Sequence, residues 1–438
     1  MDHLPRLRLL VPALVAVAAL PGMAAEATPA PTGTTRTPPV AIAGNQTPAE
    51  NGAGTGAGAA AGQTIGATVD RVLRTIKWGA YGELHYNNFQ GADSHTGSGA
   101  NGTGRDMLEL HRIVLLAEAQ LADQWRFVTE LEIEHAFVQG NNPNGAGEVE
   151  VEQAYLDYQF AEHHGARAGM LLVPISIGNL YHEPTLFHGV ERPEFDRVIV
   201  PTTWFESGVH AYGRVVENLD YTVAVHAGYL GSNSTTQATP AQGVRAWRQR
   251  GFKSAADDLL YVGRLDWRPL TGLWLAGAYS YGQINQDEQL AAPNASVQLY
   301  TLEARYANAG WDLGLSLGQG RISDADQFAQ VNGATATSPG AVPEVFTGIS
   351  GTVAYDVLRL VTDTSHQLYL FGRYEWLQNQ DEVPGNRTAN QAWNADIYQY
   401  GITYKPNPYV AIKADYRDYE NDSETAVDSW NLGVGFAF

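Results

Sequence analysis

The 438-residue chain has no cysteine, only four methionines, and 27 lysines and arginines against 47 aspartates and glutamates. Without cysteine there is no disulfide framework and no thiolate metal site. A formal net charge of −20 removes the basic footprint of a nucleic-acid binder, so no nucleic-acid partner is expected. Beyond the first twenty residues, no run of about eighteen apolar residues occurs, so no membrane-spanning helix is expected. Mean hydropathy is −0.24, a value usual for soluble proteins. The same value arises when polar residues around a water-filled interior cancel apolar residues facing lipid.

What the chain has in quantity is glycine (46), tyrosine (22) and tryptophan (10). Its last nine residues are the most telling. Trp430, Leu432, Val434, Phe436 and Phe438 share one parity, and Asn431, Gly433, Gly435 and Ala437 the other. A strand with one large apolar face and one small or polar face suits a wall with lipid on one side. Its end on Phe438 resembles the closing strand of bacterial outer-membrane barrels, in which a terminal aromatic is the signal read by the barrel-assembly machinery.

The same alternation recurs from Trp78 onward. Trp125, Phe127, Thr129, Leu131 and Ile133 alternate with Arg126, Glu130, Glu132 and Glu134; Leu219 to Tyr229, Leu259 to Trp267, and Tyr398 to Tyr416 behave alike. A soluble sandwich also alternates. Three features favour a membrane barrel: runs of ten residues or longer, aromatics at strand ends, and tight turns alternating with long polar loops. The reading is an all-β, transmembrane antiparallel β-barrel of about sixteen strands, beginning near 78, 107, 124, 150, 165, 202, 219, 258, 272, 296, 311, 344, 366, 394, 409 and 428. Eighteen strands is the rival. Sixteen leaves room for an aqueous channel.

Ahead of the barrel (78–438), residues 1–25 read as a signal peptide. Arg6 and Arg8 precede the short apolar run Leu9 to Leu20, and Ala24, Ala25 and Ala27 offer small-residue cleavage positions. Residues 26–64, rich in Pro, Ala, Gly and Thr, read as a disordered periplasmic arm. Residues 65–77 carry Ile65, Val69, Val72, Leu73 and Ile76 at helical spacing, giving a short amphipathic helix or a lead-in to the first strand. The compartment implied is the outer membrane of a Gram-negative bacterium, with its lipid and lipopolysaccharide as surroundings.

Residues 173–204 break the pattern. The segment is aromatic, carries charges of both signs, and contains Pro184, Pro193 and Pro201, which rule out a barrel strand. A long loop with such apolar content is expected to fold inward as a constriction. Leu180, Tyr181, Leu186, Phe187, Phe195, Val198 and Ile199 would anchor it, while His182, Glu183, Glu191, Arg192, Asp196 and Arg197 face the opening. Glu130, Glu132, Glu134 and Asp157 share the inward parity, with Arg112, Arg126 and Arg167 on neighbouring strands as lumen residues or as their ion-pair partners.

The blocks His182-Glu183-Pro184-Thr185-Leu186-Phe187, Val190-Glu191-Arg192-Pro193 and Ile199-Val200-Pro201-Thr202-Thr203-Trp204, followed by Glu206-Ser207-Gly208, resemble the phosphate-selective porin O/P family. The resemblance is strongest over about 165–214. It implies a sixteen-stranded, generally trimeric outer-membrane channel with pore-narrowing loops. That family's basic phosphate ladder has no counterpart here, since the matching stretch carries Glu183, Glu191, Glu194 and Asp196 against Arg192 and Arg197.

The expected activity is passive diffusion of small hydrophilic solutes or ions, with cations or neutral solutes preferred over anions. Phosphate or anion selectivity, and a plugged structural or adhesive barrel, are the alternatives. No enzyme is expected: Ser207 between Glu206 and Gly208 is no nucleophile motif. No cofactor is expected either. Nor is a metal, because His163, His164, His182 and His188 lack a helical i, i+4 pair.

Overall fold

A computed structural model describes residues 75–91, 106–136, 147–231, 243–284, 286, 295–331 and 342–438. The expected signal peptide and arm lie outside these residues, as does the expected helix apart from its last three positions; Lys77 already belongs to the first strand.

Alternating sequence becomes strand at nearly every expected place. The strands are β1 (Lys77–Phe89), β2 (Met107–Ala122), β3 (Trp125–Glu134), β4 (Val149–Ala161), β5 (His164–Leu172), β6 (Phe205–Val216), β7 (Leu219–Ala227) and β8 (Leu259–Leu270). They continue as β9 (Leu273–Gln283), β10 (Ser296–Asn308), β11 (Trp311–Ile322), β12 (Val345–Asp356), β13 (Gln367–Glu382), β14 (Asn394–Asn407), β15 (Val410–Asn421) and β16 (Ser429–Ala437). Each pairs antiparallel with its chain neighbours, and β16 pairs with β1 to close a sixteen-stranded barrel. At the seam, Phe438 exchanges two backbone hydrogen bonds of 2.9 Å with Ala80. The terminal strand is thus the closing stave.

The parity resolves as the alternation predicts. On β16, Trp430, Leu432 and Val434 are exposed on the outer wall while Asn431, Gly433 and Gly435 face inward and are buried. Leu108, Leu302 and Leu370 continue that outer surface. Aromatic pairs such as Trp125–Tyr158 and Tyr416–Trp430, with centroids 4.5 and 4.6 Å apart, pack against each other across neighbouring strands. So broad an apolar outer face has no place in water.

One rim carries mostly two-residue turns, at 123–124, 162–163, 217–218, 271–272, 309–310 and 408–409, together with the longer link 357–366. Ala309 and Gly310, with φ of 53° and 89°, take the left-handed pair that a tight hairpin demands. The sequence places turns at Pro269 and Pro406, but both prolines lie inside strand ends. There the β8–β9 and β14–β15 registers shift, and a bulge tolerates the missing N–H. The other rim carries the long connections, 173–204 among them.

Candidate pore constriction

The segment between β5 and β6 is closed at its base by one asparagine. Asn179 donates to the carbonyls of Val173 (2.7 Å) and Trp204 (2.9 Å) and accepts from the Trp204 N–H at 2.8 Å. Asn179 sits in α1 (Ile177–Leu180), whose N-cap is Ser176. A second short helix, α2 (Phe195–Val198), lies on the returning limb.

Between these points the chain crosses the barrel interior, and inward side chains of distant strands satisfy its backbone. Thr301 donates to Ile175 O (2.6 Å), Arg112 to His182 O (2.7 Å), Lys405 to Thr185 O (2.8 Å) and Arg373 to His188 O (2.6 Å). Carboxylates take the N–H groups: Glu303 that of Ile177 (2.6 Å), Asp415 that of Val190 (2.7 Å), and Glu375 those of Glu194 and Phe195 (3.0 and 2.8 Å). A buried coil must pair its polar backbone groups, and these wall charges are the partners.

The returning limb is held by apolar packing. Phe195, Val198, Ile199, Val200 and Trp204 join Tyr229, Trp247, Ile284 and Phe328 from other long connections in one buried cluster against β8–β14. Burial of each large side chain contributes about 1.5–3 kcal/mol. Small inward residues make the seat. A Cβ on Gly348 would lie 2.6 Å from Ile199 Cγ1, and one on Gly435 would lie 2.6 Å from Pro184 Cβ.

The expected opening residues divide into two groups. Glu191, Arg192 and Arg197 stay partly exposed. Glu191 accepts from His85 and Asn87 at 3.0 and 3.1 Å, Arg192 donates to Thr202 at 3.0 Å, and Arg197 pairs with Glu194, which also takes Arg417 at 3.2 Å. Glu183 is half-buried. His182 and Asp196, by contrast, are buried in the packing between segment and wall, at 4% exposure each. Burial, with Glu303 and Glu375 nearby, raises the Asp196 carboxyl to about 7. Two arginines more than offset the effect of burial on Glu194, holding its carboxyl down at about 2. Of the expected anchors, Phe195, Val198 and Ile199 are buried, Leu180, Tyr181 and Phe187 are half-buried, and Leu186 is exposed.

The lumen expectations need similar correction. Arg112 is completely buried and donates to Glu83 at 2.6 Å, so it does not line an open passage. Glu130 and Glu132 are covered by the segment; only Glu134 keeps partial exposure. Asp157 is held by Arg126 (2.6 Å), Arg167 (3.4 Å) and Tyr212 (2.7 Å), which is the pairing alternative. Arg126 and Arg167 remain partly exposed. Wall carboxylates that share a parity are therefore spent on packing and pairing.

Sequence reasoning missed an arginine group on the connection between β7 and β8. Arg245 and Arg248 have depressed pKa values, Arg245 at about 10. Burial is the main cause; Arg192, Arg197 and Arg250 add to it for Arg245, and Arg245 and Arg250 for Arg248. Arg248 donates to the Thr202 and Thr203 carbonyls at 3.1 and 2.6 Å. The spacing Arg245, Arg248, Arg250 in so acidic a chain was the available signal. Ser207 lies exposed on the outer wall, while Glu206 and His210 point inward, so these three do not assemble a nucleophile and base.

No family model matches the sequence. The chain is 33% identical over 372 residues to an uncharacterized protein of Aquifex aeolicus (strain VF5), covering 83% of this chain and 81% of that one. Among solved structures, Salmonella typhi OmpF, in complex with daunomycin, superposes with a TM-score of 0.53 at 13% identity, over 83% of this chain and 97% of that one. The outer membrane channel DcaP of Acinetobacter baumannii gives 0.52 at 12% identity, over 83% and 97%. At those identities the likeness is one of fold: the closed sixteen-stranded barrel of outer-membrane porins.

Proposed function

This chain belongs to one family with the Aquifex aeolicus protein, and we propose that it is an outer-membrane porin through which small hydrophilic solutes diffuse passively. The observation that carries this reading is the crossing of the barrel interior by residues 173–204, with Glu191, Arg192 and Arg197 left partly exposed. Charges of both signs at a narrowed passage orient polar solutes and filter ions weakly. The net charge of −20 tilts the preference toward cations and neutral solutes. In this reading residues 1–25 direct export, 26–64 form a periplasmic arm, 65–77 a short amphipathic helix, and Phe438 engages the assembly machinery. The barrel sits as a homotrimer among outer-membrane lipid and lipopolysaccharide, transporting rather than catalysing.

A second reading has a specific support. Arg192, Arg245 and Arg248 gather positive charge at the long-loop side between Arg197, paired with Glu194, and Arg250, paired with Glu148 and Glu150, in keeping with the resemblance to phosphate-selective porins. Planar-bilayer recording decides between the two. A cation-preferring or near-zero reversal potential across a potassium chloride gradient supports the first reading, and a chloride or phosphate preference supports the second. Absence of conductance contradicts both and leaves a plugged barrel.

A further inference from the structure

We propose that Glu130, Glu152 and His182 bind one divalent transition-metal cation, of the zinc or manganese class, which fastens the infolded segment to the wall. Glu130 stands on β3, Glu152 on β4, and His182 on the segment, and their ligand atoms all lie within 4.8 Å of one another. The His182 Nε2 to Glu152 Oε2 separation is 3.5 Å. That matches the edge of a tetrahedron with metal–ligand bonds of about 2.1 Å. Glu152 is the residue that the β3–β4 register skips, because Glu130 pairs with Gln153 and Leu131 with Val151. Such a bulge turns an extra side chain toward the interior.

Hydrogen-bond accounting leaves the site short of a cation. The Asn179 carbonyl can only accept, so His182 Nδ1 donates to it at 3.1 Å. The Tyr81 hydroxyl lies 3.0 Å from Nε2 but gives its single proton to Glu130 at 2.8 Å. Nε2 is left facing the carboxylates with no donor of its own, in the orientation a metal-binding imidazole takes when its other nitrogen is tied to a carbonyl.

Glu152 is fully buried and no donor group reaches either of its oxygens; Glu132, equally buried, lies within hydrogen-bond reach of it and lacks a donor as well. Arg112 commits Nε to Glu83 and Nη2 to the His182 carbonyl, and its Nη1 stays 3.6 Å from Glu132. Glu130 accepts at both oxygens, from Tyr81 and Gln153, so Glu132 and Glu152 are the two carboxylates without donors, and they share one distant guanidinium nitrogen and the His182 imidazole. Buried carboxylates need a paired charge or a metal. One nitrogen with two carboxylates suits zinc or manganese better than magnesium or calcium, which prefer oxygen alone.

A second group, Glu109, His111 and His135, is open to solvent, and each Glu109 oxygen is hydrogen-bonded to one imidazole, so it serves as the control. The test uses the full-length protein in detergent, stripped with EDTA and titrated separately with zinc, manganese, magnesium and calcium chlorides. One zinc or manganese ion per chain should bind and raise the melting temperature, with X-ray absorption showing one imidazole and carboxylate oxygens. Glu152→Gln and His182→Gln should each weaken binding by more than about tenfold, while His135→Gln leaves it unchanged. Wild-type protein that binds neither ion overturns the proposal, whatever the variants do. So does binding that survives Glu152→Gln but is lost in His135→Gln.

Discussion

The two sides of this barrel's interior hold the same segment by different means. On β8–β14 the inward face is small or apolar in its loop-side half, with Ala224 of β7, Val262, Ala278, Leu299 and Ile397, and receives Phe195, Ile199 and Trp204. On β1–β4 it is charged: Glu83, Arg112, Glu130, Glu132 and Glu152 lie buried beneath His182 and its neighbours. The first side contributes most of the apolar burial, with Thr301, Glu303, Arg373, Glu375 and Lys405 adding directed bonds to the segment backbone. The second contributes direction at a cost in desolvation, which is why its charges come paired, bonded to backbone, or in need of an ion. An inward charge in a porin-type barrel is therefore no guide to the field in the passage until its partners are known.

The comparison breaks most readily on the apolar side. Phe195→Ala should lower barrel stability by about 3–5 kcal/mol, because it empties a site enclosed by rigid strands. Urea unfolding in lipid vesicles measures this, and a loss below 1 kcal/mol would put the segment's hold elsewhere. Glu375→Gln, which leaves one of two segment N–H groups without its acceptor, should cost about 1–3 kcal/mol by the same measurement.

Asp196 sharpens the comparison through pH. Its folded pKa is raised from 3.8 to about 7, so its stabilisation is complete below the ordinary carboxyl range and is lost as pH rises from there to about 7. Asp196→Asn should therefore remain more stable than wild type at pH 8, with the gap closing toward pH 4. Thermal melts at a series of pH values test this, and a gap that widens on acidification contradicts it. The smallest stability effect should come from Arg197→Gln, because Arg417 still pairs with Glu194 when Arg197 is gone. Its reversal potential should still shift by more than that of Glu132→Gln, since only Arg197 meets solvent.

Much of the fold was legible because alternation is a local signal. The closing strand, the rims and all sixteen strands follow from it, and the prolines and aromatics of 173–204 marked that segment as no stave. The use of the inward charges was not legible. Val190 meets Asp415 across 225 positions and Lys405 meets Thr185 across 220, so no local pattern tells a pore-lining carboxylate from one holding a loop. The role of the β16 glycines was hidden in the same way. They read only as the small face of a lipid-facing wall, whereas Gly433 and Gly435 are small because Val190 and Pro184 rest on them.

The absence of cysteine from the sequence makes the central claim directly testable. A Cβ on Gly433 would lie 3.0 Å from Val190 Cγ1, which puts the two positions within disulfide reach. Val190→Cys combined with Gly433→Cys, oxidised in the folded membrane-inserted barrel, should form a bond seen as altered mobility on non-reducing gels, with neither single variant reacting. Two thiols that remain free and reagent-accessible in a correctly folded barrel would show that the segment does not cross the lumen.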